Sequence, residues 1–110
     1  VRVGSRILVS GTTASHADRL IGGRDPEAQT HAAIDKLEGT LVSFGASLRN
    51  VVRTRVYVAD PEQWLPVSRA LGERFRGIDP ANTLVGASLV GDDFLVEIEA
   101  EAIHEGSNAR

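Results

Sequence analysis

Pro80-Ala81-Asn82-Thr83-Leu84-Val85 and, past the polar turn Gly91-Asp92-Asp93, Leu95-Val96-Glu97-Ile98-Glu99-Ala100 decide how this chain is built. Apolar residues bounded by turn residues predict two strands, over 83–89 and 94–103. Along the second, Val96, Ile98, Ala100 and Ala102 alternate with Glu97, Glu99, Glu101 and Ile103. A period of two with one apolar side is a strand with one face on a core, and the acidic side, with Leu95 in its phase, faces away from it.

Upstream, the run 51–58 alternates in the same way, with Val52, Thr54, Val56 and Val58 on one face and Arg53, Arg55 and Tyr57 on the other. Between these strands Asp60-Pro61 is a helix start, and Trp64, Val67, Leu71 and Phe75 form the core stripe of a helix ending near Gly77. Asp25-Pro26 gives the same cap-and-proline signal earlier in the chain. Ile34, Leu37, Leu41 and Phe44 then recur at helical spacing up to the stop at Gly45, with Gly39 inside at a cost of about 1 kcal/mol relative to alanine. Residues 12–25 are polar and broken by Gly22-Gly23, which reads as a loop. Before it, Val1-Arg2-Val3 and Arg6-Ile7-Leu8-Val9-Ser10 flank Gly4 as a hairpin.

The order is ββαβαββ, an α+β domain spanning all 110 residues with two helices for one sheet face. The other face mixes Tyr57, Leu95 and Ile103 with charges, so a second copy of the chain is its expected cover.

Composition narrows the function classes. The chain is 42% hydrophobic with no long apolar run, which predicts a soluble, cytoplasmic protein without membrane or signal segment. Val1 in place of methionine predicts that a leading segment of the natural protein precedes it. Twelve basic residues against fifteen acidic ones give a net charge of -3, which argues against a nucleic-acid partner because phosphate binding needs a basic footprint. There is no cysteine, and His16, His31 and His104 lack metal-ligand spacing, so neither metal nor other cofactor is expected.

Pro80-Ala81-Asn82-Thr83 with Val96-Glu97-Ile98-Glu99-Ala100, together with Ser10-Gly11 and the run from Val51-Val52-Arg53-Thr54 to Val58, resembles the RidA (YjgF, L-PSP endoribonuclease-like) family of small imine and enamine deaminases. The resemblance covers nearly the whole chain. It implies a chorismate mutase-like fold, a homotrimer, and small-metabolite sites in the clefts between subunits. In the family's deaminases an arginine grips the substrate carboxylate, a glutamate orients the attacking water, and backbone groups at a serine-glycine turn shape the pocket. Carried across, Glu97 is the glutamate, Ser10 and Gly11 are the turn, Thr83 belongs to the frame around the anchor, and Ser68 stands where the deaminases usually have asparagine. The tyrosine common before the first strand would lie in the leading segment. The arginine position holds Asn82, which can donate hydrogen bonds but carries no charge.

Each residue has a plainer reading beside this one. Glu97, Glu99 and Glu101 could simply meet Arg53 and Arg55 in cross-strand or intersubunit ion pairs, Asn82 could satisfy a turn backbone, Ser10 is a turn residue with no adjacent base, Trp64 and Phe75 are core, and His31 is helix surface. Arg53 or Arg55 could instead replace the missing cation. Two functions stay open: a deaminase-like hydrolase with altered specificity, in which Glu97 orients water and Asn82 holds a neutral group, or a non-catalytic trimer that binds a small metabolite in the same cleft.

Overall fold

The computed structural model describes residues 1–17 and 19–105. Strands β1 (Arg2–Val3) and β2 (Arg6–Thr12) form the opening hairpin. The stretch expected as a plain loop carries a second, small hairpin, β3 (Ser15–His16) with β4 (Arg19–Leu20). Helix α1 (Pro26–Ser43) starts where the cap signal placed it, with the Asp25 carboxylate accepting from the Glu27 and Ala28 amides at 3.0 and 3.4 Å. It stops because Gly45 turns left-handed (φ 84°), so that the Ala46 and Gly45 amides reach back to the Leu41 and Val42 carbonyls. Arg2 then donates to the carbonyl of Phe44 at 2.9 Å and to that of His104 at 2.6 Å, tying the helix end to both chain ends of the sheet.

Strand β5 (Val51–Val58), a 3₁₀ turn (Pro61–Gln63), helix α2 (Trp64–Arg74), and strands β6 (Ala81–Gly86) and β7 (Val96–Ile103) complete the chain. The main sheet runs β1-β2-β7-β5-β6. Thus the last two strands, although consecutive, do not pair with each other. Strand β5 lies between them, parallel to β6 through the α2 crossover and antiparallel to β7. Strand β6 ends earlier than expected, at Gly86, where a Cβ would lie 2.5 Å from the Pro61 ring.

Both helices cover one face of this sheet. Ile34, Leu37 and Leu41 of α1, Val67 and Leu71 of α2, and Val56, Val58, Val96, Ile98 and Ala102 of the sheet make a single core. Three packing expectations need correction. Val52 is exposed and Val51 buried, because the pairing of β5 with β7 shifts between Val51 and Arg53 and reverses the alternation before it. Trp64 is 52% exposed. Around the helix axis Trp64 falls between the buried Leu71 and Phe75, so the angle of the stripe does not account for its exposure; it is the first residue of α2, at the end of the helix. Leu95 is buried within the subunit, its amide held by the Gln29 side chain at 2.9 Å and its carbonyl by the Ala59 amide at 3.0 Å. It precedes the strand, so the alternation of β7 does not govern it. No helix among the described residues is long and apolar enough to cross a membrane.

Candidate functional site

The face of the sheet away from the helices carries Glu97, Glu99 and Glu101 of β7 beside Arg53, Arg55 and Tyr57 of β5. In register Arg53 faces Glu101, Arg55 faces Glu99 and Tyr57 faces Glu97. Yet among the described residues neither arginine forms an ion pair within 4 Å inside the subunit, so the cross-strand pairing expected of that face is not made within one copy. Glu101 binds Arg6 instead, at 2.8 and 2.9 Å, and Glu99 accepts a hydrogen bond from the Tyr57 hydroxyl. That bond to Glu99, then burial and the Glu99 charge, raise the Tyr57 pKa above the ordinary tyrosine value, with Arg55 pulling the other way.

Glu97 is different. Half-buried, it has no hydrogen-bond or ion-pair partner among the described residues. Its carboxylate lies against Gly11, where a Cβ would stand 2.9 Å from the Glu97 Cδ and still closer to Oε2. The chain makes this approach possible with a β-bulge. Between the pairs Val9↔Ala100 and Thr12↔Ile98, two residues of β2, Ser10 and Gly11, oppose the single residue Glu99. The Thr12 hydroxyl donates to the Ser10 carbonyl at 2.8 Å across the bulge. Ser10 is therefore a bulge residue in a strand rather than the residue that closes it, and with Arg53, Arg55, Glu99 and Glu101 it lines an open hollow of about 350 Å³.

Asn82 lies on the other side. In the parallel register it neighbours Thr54, whose side chain is buried under the helices, and the Thr54 hydroxyl donates to Asn82 Oδ1 at 2.7 Å. Asn82 and Ser68 of α2 line one cavity of about 290 Å³, together with Thr54, Leu71, Phe75 and Asp79. Thr83 alternates to the outer face, level with Arg55. The expected site residues thus fall into two groups: Ser68 with Asn82 on the helix side, and Ser10, Gly11, Glu97 and Thr83 on the open side. Asn82 and Glu97 lie three residues apart along the strands and two strands apart across them, about 10 Å in each direction, on opposite faces. One subunit does not bring them together.

Thr54 and Asp79 were not among the expected site residues. The signal for Thr54 was present, since it is the single polar residue among the inward-pointing Thr54, Val56 and Val58. Asp79, in a left-handed turn (φ 52°), gave none. Away from both groups, Glu27 and His31 of α1 and Glu73 of α2 bring potential ligand atoms within 4.8 Å of one another, a grouping across helices that histidine spacing could not reveal. Arg69 lies 3.5 Å from Glu27, and Arg74 lies 3.3 Å from His31 Nδ1, so two of the three groups already have a guanidinium neighbour.

Residues 1–104 match the family model of endoribonuclease L-PSP. A protein of Streptomyces coelicolor is 37% identical over 103 residues, covering 93% of this chain and 77% of that one. A RutC family protein of Pyrococcus abyssi is 31% identical over 107 residues, 96% of this chain and 84% of its own. Among solved structures, a Mycobacterium tuberculosis member of the YjgF/YER057c/UK114 family superimposes with a TM-score of 0.84 at 39% identity, covering 93% of this chain and 81% of that one. With the fold, the bulge at Ser10-Gly11 and the Glu97 approach already in place, these matches make the chain a member of the RidA/YjgF family, the endoribonuclease L-PSP family of the matching model.

Proposed function

We propose that this protein is a deaminase-like hydrolase of a small imine, enamine or related metabolite, working in clefts between the subunits of a homotrimer, with a specificity shifted away from 2-imino acids. The observation that carries the reading is the half-buried Glu97 carboxylate, held against Gly11 and lacking a partner among the described residues. A carboxylate in a plain cross-strand ion pair would have a cation beside it, and within one copy neither Arg53 nor Arg55 takes that role. Such a group can orient a water and accept its proton. Because Asn82 and Ser68 open on the opposite face of the same sheet, a complete site takes Glu97 with Ser10 and Gly11 from one copy and Asn82 with Ser68 from the next.

The uncharged Asn82 sets the specificity. A substrate carboxylate deprived of its arginine loses a charged hydrogen-bond pair, on the order of 2–5 kcal/mol. Hydrolysis of 2-iminobutyrate should accordingly be weak or absent, and Asn82→Arg should raise it in a manner that depends on Glu97. The same missing charge favours a second reading, a trimer that binds a metabolite without turning it over. Coupled assays on the wild type, Asn82→Arg, and Asn82→Arg with Glu97→Gln separate the two. A gain in Asn82→Arg that the second change abolishes supports the hydrolase; no gain, with a silent Glu97→Gln, leaves the binding protein.

A further inference from the structure

The cavity between α2 and the edge strand β6 has a chemical bias of its own. Its lining residues include no lysine or arginine and one carboxylate, Asp79. Leu71 and Phe75 supply an apolar wall, while Ser68, Thr54 and Asn82 supply the neutral polar groups. Thr54 is 1% exposed, and the hydrogen bond to Asn82 Oδ1 at 2.7 Å is the one its side chain makes among the described residues. A buried hydroxyl proton needs an acceptor, which fixes the Asn82 amide with its oxygen toward Thr54. Nδ2, on the other branch of the amide plane, has no partner among the described residues. Asn82 thereby keeps Nδ2 as its unpartnered donor, with Oδ1 engaged by Thr54.

We propose that this cavity selects a small ligand carrying a neutral carbonyl acceptor, of the carboxamide or ureido kind, with Asn82 as the donor and Thr54 as the positioning residue that holds it in that role. A carboxylate would also accept from Nδ2. It would do so without a countercharge and beside Asp79, whose like charge repels it. A neutral carbonyl incurs neither penalty, and its apolar body can lie on Leu71 and Phe75. The inference rests on the reading of this cleft as a ligand site and specifies what enters it.

The test compares butanamide with butanoate, equal in shape and different in charge, by titration into the full protein with ¹⁵N-labelled asparagine at pH 7. Butanamide should shift the Asn82 side-chain NH₂ signal and bind at least about tenfold more tightly than butanoate. Asn82→Arg should reverse the preference. Thr54→Val should bring the amide-to-carboxylate ratio toward one, and Thr54→Ser, which keeps the hydroxyl, should restore it; a merely structural Thr54 would change stability and leave the ratio alone. Butanoate binding as tightly as butanamide, or no shift of the Asn82 signal with either, overturns the proposal. Failure of the hydrolase reading looks different: the amide preference persists while no substrate is turned over and Glu97→Gln is silent. Conversely, Glu97-dependent imine hydrolysis with a carboxylate preference would sink this inference and leave the hydrolase standing.

Discussion

Glu97, Glu99 and Glu101 share one face of one strand and differ in everything each touches. Glu101 has Arg6, Glu99 has the Tyr57 hydroxyl, and Glu97 has the bare backbone of Gly11. A methyl group at Gly11 would displace the Glu97 carboxylate, the flexible end of an exposed-face side chain. Gly11→Ala should therefore change stability by no more than about 0.5 kcal/mol, the range of surface substitutions, while removing whatever turnover or ligand binding depends on Glu97. Parallel urea denaturation and activity measurements check this, and full activity in Gly11→Ala would remove Glu97 from the site. Tyr57 supplies a pH prediction. Its folded pKa is raised above the unfolded value of about 10, so its contribution to stability is fully present below pH 10 and is lost as pH rises through the folded value. Spectrophotometric titration should show one tyrosine ionising above the usual range, and Tyr57→Phe should flatten the alkaline fall in stability.

At the scale of elements, the helices and the central strands were legible because their signals are local. A cap residue before proline, a glycine after the last apolar position, and a period of 3.6 or 2 each act within a few residues. The phase of those periods is set instead by contacts from distant parts of the chain. The shift between Val51 and Arg53 reversed the start of β5, and the Gln29 contact claimed Leu95 for the core. Gln29 gave no sign of its role. Fully buried at the start of α1, it donates to the carbonyls of Gly23 and Asp93 at 2.6 and 2.9 Å and accepts from the Leu95 amide, fastening two connections to the helix. Gln29→Leu keeps much of the volume and leaves two carbonyls and an amide without partners. Each buried unsatisfied group costs about 1–3 kcal/mol, and with partial access of water the sum should be near 3 kcal/mol. A fall in the urea midpoint with unchanged slope is the expected reading; a change under about 1 kcal/mol would show that these connections rearrange freely.

For the whole molecule, two helices cover one face of a five-stranded sheet and leave the other bare. That face carries Leu8 and Ile103, each 37% exposed, with the arginines at 53 and 55 beside three glutamates. Light scattering should give a trimer at micromolar concentration. Arg55→Glu should shift it toward monomer with at least about a tenfold rise in dissociation constant, since like charges brought together at an interface cost several kcal/mol. A monomer in the wild type would withdraw the composite site. The sequence by itself determined the class of fold and the start and stop of α1, and marked Ser10-Gly11, Asn82 and Glu97 as candidates, since turn chemistry, periodicity and a family pattern are properties of neighbouring residues; the Asp60-Pro61 signal caps a 3₁₀ turn, and α2 itself runs only from Trp64 to Arg74. Only the tertiary structure decided that β5 separates β6 from β7, that Gly11 makes room for Glu97, that Thr54 orients Asn82, and that these two pairs lie on opposite faces. Strand order and register are fixed by the burial of one face of each strand against helices far away in the chain, and no local pattern records which strand will be the neighbour.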